Sequence, residues 1–242
     1  MLNRHYHSML GEKDIIFELF QYAQERGKVV GKDHVYDFSL GNPSVPAPDK
    51  VNQTIIDKVS HLDPLSLHGY SPGMGVPETR SAIAHALNQR YGMHYRPENI
   101  FMTIGAAGAL AHALRAVTNP GEEIITFAPN FSEYKPYAAG ASLRLSVVPA
   151  DTDTFQINFT DFRTRLNPSV SAVLINSPNN PSGIVYSTAT IEKLAAILTE
   201  KASEYGHPIY LISDEPYRDI VFSGTDSPYI ASLYKDTLTC YS

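Results

Sequence analysis

From about residue 97 onward the chain alternates short apolar runs with helix-like segments, an order that few folds accommodate. IFMTI (100–104), EIITFA (123–128), LRLSVV (143–148), SAVLIN (171–176), PIYLIS (208–213) and LTCYS (238–242) read as strands. Between them AAGALAHALRAV (106–117), SEYKPYAAG (132–140), TDFRTRL (160–166) and TATIEKLAAILTEKASEYG (188–206) read as helices. Several of the strands are apolar without strict alternation, as expected for strands covered on both faces. The order predicts an α/β fold: an open, mostly parallel sheet wrapped by helices. Upstream, EKDIIFELFQYAQER (12–26) places Ile15, Ile16, Leu19, Phe20 and Ala23 on one helical face, with Gly27 as its C-cap. That helix is expected to pack on a core. VYDFSLGNPSVPAP (35–48) reads as a short strand entering a loop stiffened by Pro43, Pro46 and Pro48.

Composition narrows the function classes. An apolar share of 43% with 18% charged residues suits a globular core. A net charge of −6 argues against a nucleic-acid backbone as partner, since phosphate binding needs a basic face. Cys240 is the only cysteine, so no intrachain disulfide is available, which fits a reducing compartment. MLNRHYHSMLGEKD lacks a signal-peptide apolar stretch, and no apolar run reaches the ~18 residues a membrane helix needs. A cytoplasmic, membrane-free protein is the expectation.

In open parallel sheets, ligands sit where the loops leave the carboxyl ends of the strands. The unusual residues of this chain fall there. After IFMTI, Gly105, Ala106, Ala107 and Gly108 open a helix with small side chains. An anion can therefore approach the free N–H groups of the first turn, although tight strand–helix packing would also select small residues. Neither the P-loop nor the G-x-G-x-x-G pattern is present, so a nucleotide-binding Rossmann module is not indicated. After EIITFA, APNFSEY (128–134) brings Phe131 and Tyr134 to the sheet edge, where an aromatic can stack on a flat ligand or fill core. After SAVLIN, SPNNPSG (177–183) forms a rigid polar turn from which the Asn180 amide can project as a donor. After PIYLIS, DEPYRDIVF (214–222) sets Asp214 directly behind an apolar strand and a phenol, Tyr217, three residues on. A desolvated carboxylate there is costly unless a cation, from protein or ligand, faces it. Together these residues describe a site for a flat ligand with an anionic group at one end, a cationic nitrogen at the other and an oxygen between.

NNPSG (179–183) with DEPYRDIVF (214–222), supported by GYSPGMGVPETR (69–80) and GAAGAL (105–110), resembles the fold-type I pyridoxal-phosphate enzymes. Within them the likeness is to class I/II aminotransferases similar to aspartate aminotransferase, and it runs from SLGNPSVPAP (39–48) to the last residue. It implies the large domain of that fold, a three-layer α/β/α arrangement over residues 49–242, preceded by an N-terminal helix and substrate loop over residues 1–48. It also implies pyridoxal 5'-phosphate as cofactor. Backbone N–H groups of Ala106 and Ala107 would hold the phosphate, and Phe131 would stack on the ring in a place where the family often has Trp or Tyr. Asn180 and Tyr217 would donate to the phenolic oxygen, and Asp214 would pair with the ring nitrogen. Gly41 and Asn180 would face the substrate, an amino acid or a 2-oxo acid. Tyr70 matches a tyrosine that reaches the cofactor of a neighbouring subunit, which implies a homodimer. Ser242 matches the first serine of a Ser-x-Ser-Lys-like pattern, another phosphate contact. The Schiff-base lysine is therefore expected shortly after Ser242, with a small C-terminal domain later still, so that no catalytic lysine lies in this chain. Two other activities stay open: a lyase, decarboxylase or synthase of the same fold, and a non-catalytic cofactor-binding regulatory domain.

Overall fold

A computed structural model describes residues 7, 15–39, 41 and 45–242. The chain divides into two compact units, Met1–Tyr70 and Ser71–Ser242.

In the first unit, helix α1 (Ile15–Val30) forms where the apolar spacing predicts it, the expected start at 12–14 lying outside the described residues. Two details differ from expectation. Gly27 is interior to the helix and buried; the exit comes at Gly31, whose φ of 91° is left-handed and whose N–H donates to the Gly27 carbonyl at 3.0 Å. The apolar face is not core either, because Ile15 and Leu19 are exposed and Phe20 and Ala23 only half-buried. No strand forms at 35–38: the Asp37 carboxylate accepts from the Ser39 amide at 2.9 Å and its hydroxyl at 2.6 Å, which bends the chain. Residues 42–44 of the proline-rich loop lie outside the described set. Helices α2 (Asp49–His61) and α3 (Pro64–His68) follow, the latter capped by Asp63, which accepts from the Ser66 amide at 2.9 Å.

The second unit opens with α4 (Pro77–Tyr91), closed by Gly92 in a left-handed cap. The run at 100–104 is not a strand, contrary to its apolar pattern. Strand structure needs a neighbour to take its backbone groups, and here the run bonds no strand: the Met102 N–H donates to the Met74 carbonyl at 3.2 Å and the Ile100 carbonyl accepts from Arg80 Nε at 2.9 Å. Ile104 is left 95% exposed.

Beyond it the predicted alternation holds. Helix α5 (Gly105–Val117) precedes β1 (Glu123–Phe127), α6 (Tyr134–Gly140), β2 (Arg144–Val148), α7 (Phe159–Arg165), β3 (Val170–Asn176), α8 (Thr188–Tyr205), β4 (Tyr210–Asp214) and β5 (Thr237–Cys240). The five strands lie in the order β2-β1-β3-β4-β5, and every pairing is parallel. All seven residues of β3 are buried, because successive side chains enter opposite cores. Val173 and Ile175 pack with Phe162 of α7 and Leu194 and Leu198 of α8. Ala172 and Leu174 pack with Leu110 and Leu114 of α5 and Ala138 of α6. The second unit is therefore a three-layer α/β/α sandwich, and each fully buried Leu or Ile contributes about 1.5–3 kcal/mol to it.

Chain order places the site. After β1 the chain moves outward to β2, then crosses back over β1 to β3. The reversal leaves a crevice at the carboxyl ends of β1 and β3, where the connecting loops part.

Candidate active site

Asp214 is the last residue of β4 and pairs in register with Asn176, the last residue of β3. The two are tied together: Asn176 Nδ2 donates to the Asp214 carbonyl at 2.9 Å, while its Oδ1 accepts from the Asn180 N–H at 2.6 Å. A buried amide must find partners for both ends, and Asn176 finds them by fixing two site residues at once. The Asp214 side chain is 5% exposed. One oxygen, Oδ2, accepts from the Tyr134 hydroxyl at 2.6 Å, whereas Oδ1 is buried with no partner. Burial pushes the carboxyl above its ordinary value, and the Tyr134 bond opposes that rise. Tyr134 is held far above the usual phenol range, first by its own burial and then by the neighbouring carboxylate, so it stays a donor.

The turn after β3 positions Asn180. Asn179 accepts from the Ser182 amide at 3.0 Å and its hydroxyl at 2.7 Å, and Gly183 closes the loop at a φ of 71°. The Asn180 amide then lies 3.4 Å from the Tyr217 hydroxyl, to which it donates. On the opposite wall, α5 starts at Gly105 with a φ of 65° and no side-chain cap. Its first-turn N–H groups have no intrahelical acceptor and carry the positive end of the helix dipole. Gly108 is small for another reason: a Cβ there would stand 3.3 Å from the Thr103 Cβ, across the turn that feeds the helix. Phe131 packs edge-on against Tyr134, with ring centres 5.8 Å apart.

These parts enclose a cleft of about 80 Å³, lined by Ala106, Ala107, Leu110, Phe131, Tyr137, Asn176, Asn180, Asp214, Pro216 and Tyr217. Six residues singled out in the sequence thus meet in one cavity: Ala106, Ala107, Phe131, Asn180, Asp214 and Tyr217. Ser242, just past β5, is exposed and does not line it. Gly41 and Tyr70 belong to the other unit, and both are exposed there. The sequence reading missed the roles of Asn176 and Tyr134. Asn176 had a signal, an amide ending an otherwise apolar strand. Tyr134 was visible only as an edge aromatic. Among the described residues no group of three or more His, Cys, Asp or Glu could hold a metal ion. No helix among them is long and apolar enough to cross a membrane.

The sheet order, the cleft at its switch point and the carboxylate within it are those of the α/β proteins that hold ligands at the carboxyl ends of parallel strands. Comparison with known proteins places the chain within it. The family description "Aminotransferase class I and II" matches residues 33–242, and the chain belongs to that family. An aspartate aminotransferase of Thermotoga maritima is 30% identical over 207 residues, covering 83% of this chain and 51% of that protein. The aspartate/prephenate aminotransferase of Thermus thermophilus is 32% identical over 158 residues, covering 64% of this chain and 39% of that protein. A solved amino transferase from Eubacterium rectale superposes with a TM-score of 0.95 at 47% identity, covering 100% of this chain and 61% of its own. The chain thus spans about half the length of the curated relatives it matches.

Proposed function

We propose that the protein containing this chain is a pyridoxal-phosphate-dependent aminotransferase that moves an amino group between an amino acid and a 2-oxo acid. The observation that carries the reading is the unpartnered Asp214 Oδ1, buried in a cleft whose lining includes the start of α5. An ionised carboxylate in such a place costs free energy until a cation meets it. A protonated ring nitrogen meets that need, and the open amides of Ala106 and Ala107 suit a phosphate. Phe131 offers a stacking face, while Asn180 and Tyr217 supply donors for the phenolic oxygen. The residues present therefore fit the group.

When bound, pyridoxal phosphate supplies an electron-withdrawing ring that takes up charge from an amino acid losing its α-proton. The chain's own residues hold and tune it. The Asp214 carboxylate keeps the ring nitrogen protonated, because opposite charge favours the charged form. Tyr134 fixes the carboxylate's orientation and favours its ionised state. Asn180 and Tyr217 hold negative charge on the phenolic oxygen, and Asn176 keeps Asn180 and the end of β4 in register. In this reading Gly41 approaches the substrate carboxylate, Ser242 adds a phosphate contact, and Tyr70 serves the site of a second subunit in a cytoplasmic homodimer. Among the described residues no lysine lines the cleft.

Purified full-length protein, given a panel of amino donors with 2-oxoglutarate, tests the activity. Aspartate heads the panel because several relatives are named for it. Glutamate formation is expected. Release of pyruvate with ammonia or thiol and no glutamate would assign a lyase, and cofactor binding without turnover would assign a regulatory domain.

A further inference from the structure

The segment that carries Asp214 and Tyr217 also carries a buried ion pair that the reading above does not use. Asp214 and Tyr217 line the cleft, while the intervening Glu215 is 0% exposed and Arg218 5% exposed. The Arg218 guanidinium is bonded to Glu215 Oε2 through Nε and ion-paired to it through Nη2, and its Nη1 donates to the Pro228 carbonyl at 3.3 Å. Glu215 Oε1 accepts from the Ser213 hydroxyl at 2.6 Å. Both carboxylate oxygens are therefore occupied. The guanidinium carbon lies 4.9 Å from the centre of the Tyr229 ring and 5.5 Å from that of Tyr91, and these two rings stack at 4.2 Å. Backbone bonds complete the staple: the Glu215 N–H donates to the Cys240 carbonyl of β5 at 2.8 Å, and the Arg218 N–H to the Glu215 carbonyl at 3.3 Å.

Burying two charges is a poor way to gain stability, since an apolar pair of similar volume usually does as well or better. What the pair adds here is geometry. It spans the same four residues as the backbone turn and ties that turn to the Pro228 carbonyl and the stacked tyrosines, while the Glu215 N–H holds it to β5. Tyr217 lies within the clamp and projects to the other side, 3.4 Å from Asn180.

We propose that Glu215 and Arg218 are positioning residues that fix where the Tyr217 phenol stands, and through it how tightly the site holds the oxygen of a flat anionic ligand. The proposal rests on the pyridoxal-phosphate reading and deepens it. Tyr217 is the residue that touches the ligand; the ion pair acts through it.

The test is a double-mutant cycle on full-length apoprotein titrated with pyridoxal phosphate. Glu215→Leu with Arg218→Met replaces the pair by apolar side chains, and Tyr217→Phe removes the phenol, alone and in that background. Thermal unfolding of each apoprotein checks the fold. The expected result is that Tyr217→Phe weakens binding about fivefold or more in the native background and less than about twofold in the apolar one, the signature of coupled residues. An equal fold-change in both backgrounds, with folding intact, would overturn the proposal and assign the pair a structural role. Should the apolar variant fail to fold, the near-isosteric Glu215→Gln enters the same cycle with the same two outcomes. A native apoprotein that binds no pyridoxal phosphate would overturn the underlying reading, and this proposal with it.

Discussion

Asp214 concentrates the chemistry of the site in one carboxylate with two unequal oxygens. Oδ2 is satisfied by Tyr134 and Oδ1 is left for a ligand. Two consequences can be measured on full-length protein. The folded carboxyl sits above its ordinary value of 3.8 because burial disfavours the charge. Below that ordinary value the group is protonated in both states and costs nothing; as pH rises through the raised folded value, a penalty against the apoprotein develops. Asp214→Asn removes it while keeping an acceptor for Tyr134. The variant apoprotein should therefore melt above the native one at about pH 8, with the gap closing as pH falls through the raised folded value toward the ordinary 3.8. The second consequence concerns Tyr134→Phe, which deletes a bond that favours the ionised carboxylate. Asp214 should rise further, so the acid limb of pyridoxal-phosphate binding should move to higher pH. An unmoved limb would contradict the assigned partnership. Asp214 was legible in the sequence because an acid directly behind an apolar strand has an evident desolvation problem. Tyr134 was not, since the fold that aims its hydroxyl joins residues 80 positions apart.

At the scale of elements, one wall of the cleft depends on how α5 begins. Gly105 adopts a left-handed φ of 65° with open space around a would-be Cβ. Gly105→Ala should thus cost only backbone strain, about 1 kcal/mol, read as a lower denaturant midpoint with the fold retained. Helices α5 to α8 and the five strands were legible because each has a neighbour to receive its apolar face. The failures share the converse cause. The run at 100–104 has strand composition but no strand beside it, and α1 has an amphipathic pattern whose Ile15 and Leu19 stay exposed. Helices α2, α3 and α4 went unread although Pro64 opens α3 and Pro77 opens α4; Val51, Ile55, Ile56 and Val59 of α2 are exposed, and Ala84 is the one fully buried apolar residue of α4.

At the scale of the whole molecule, the reversal of strand order explains why residues from four separate connections converge. Phe131 follows β1, Asn180 follows β3, Tyr217 follows β4, and Ala106 opens α5. The sequence showed the order of these signals along the chain; their meeting needed the sheet. A homodimer in which Tyr70 serves a second site should appear as a dimer in sedimentation of the full-length protein, and a monomer retaining full cofactor affinity would contradict it. The central claim, that Asp214 holds a ring nitrogen in its charged form during amino transfer, is tested most directly by kcat. For full-length Asp214→Asn, saturated with pyridoxal phosphate, kcat for amino transfer to 2-oxoglutarate should fall by orders of magnitude. A loss smaller than about tenfold, roughly 1.4 kcal/mol of transition-state free energy, would contradict it.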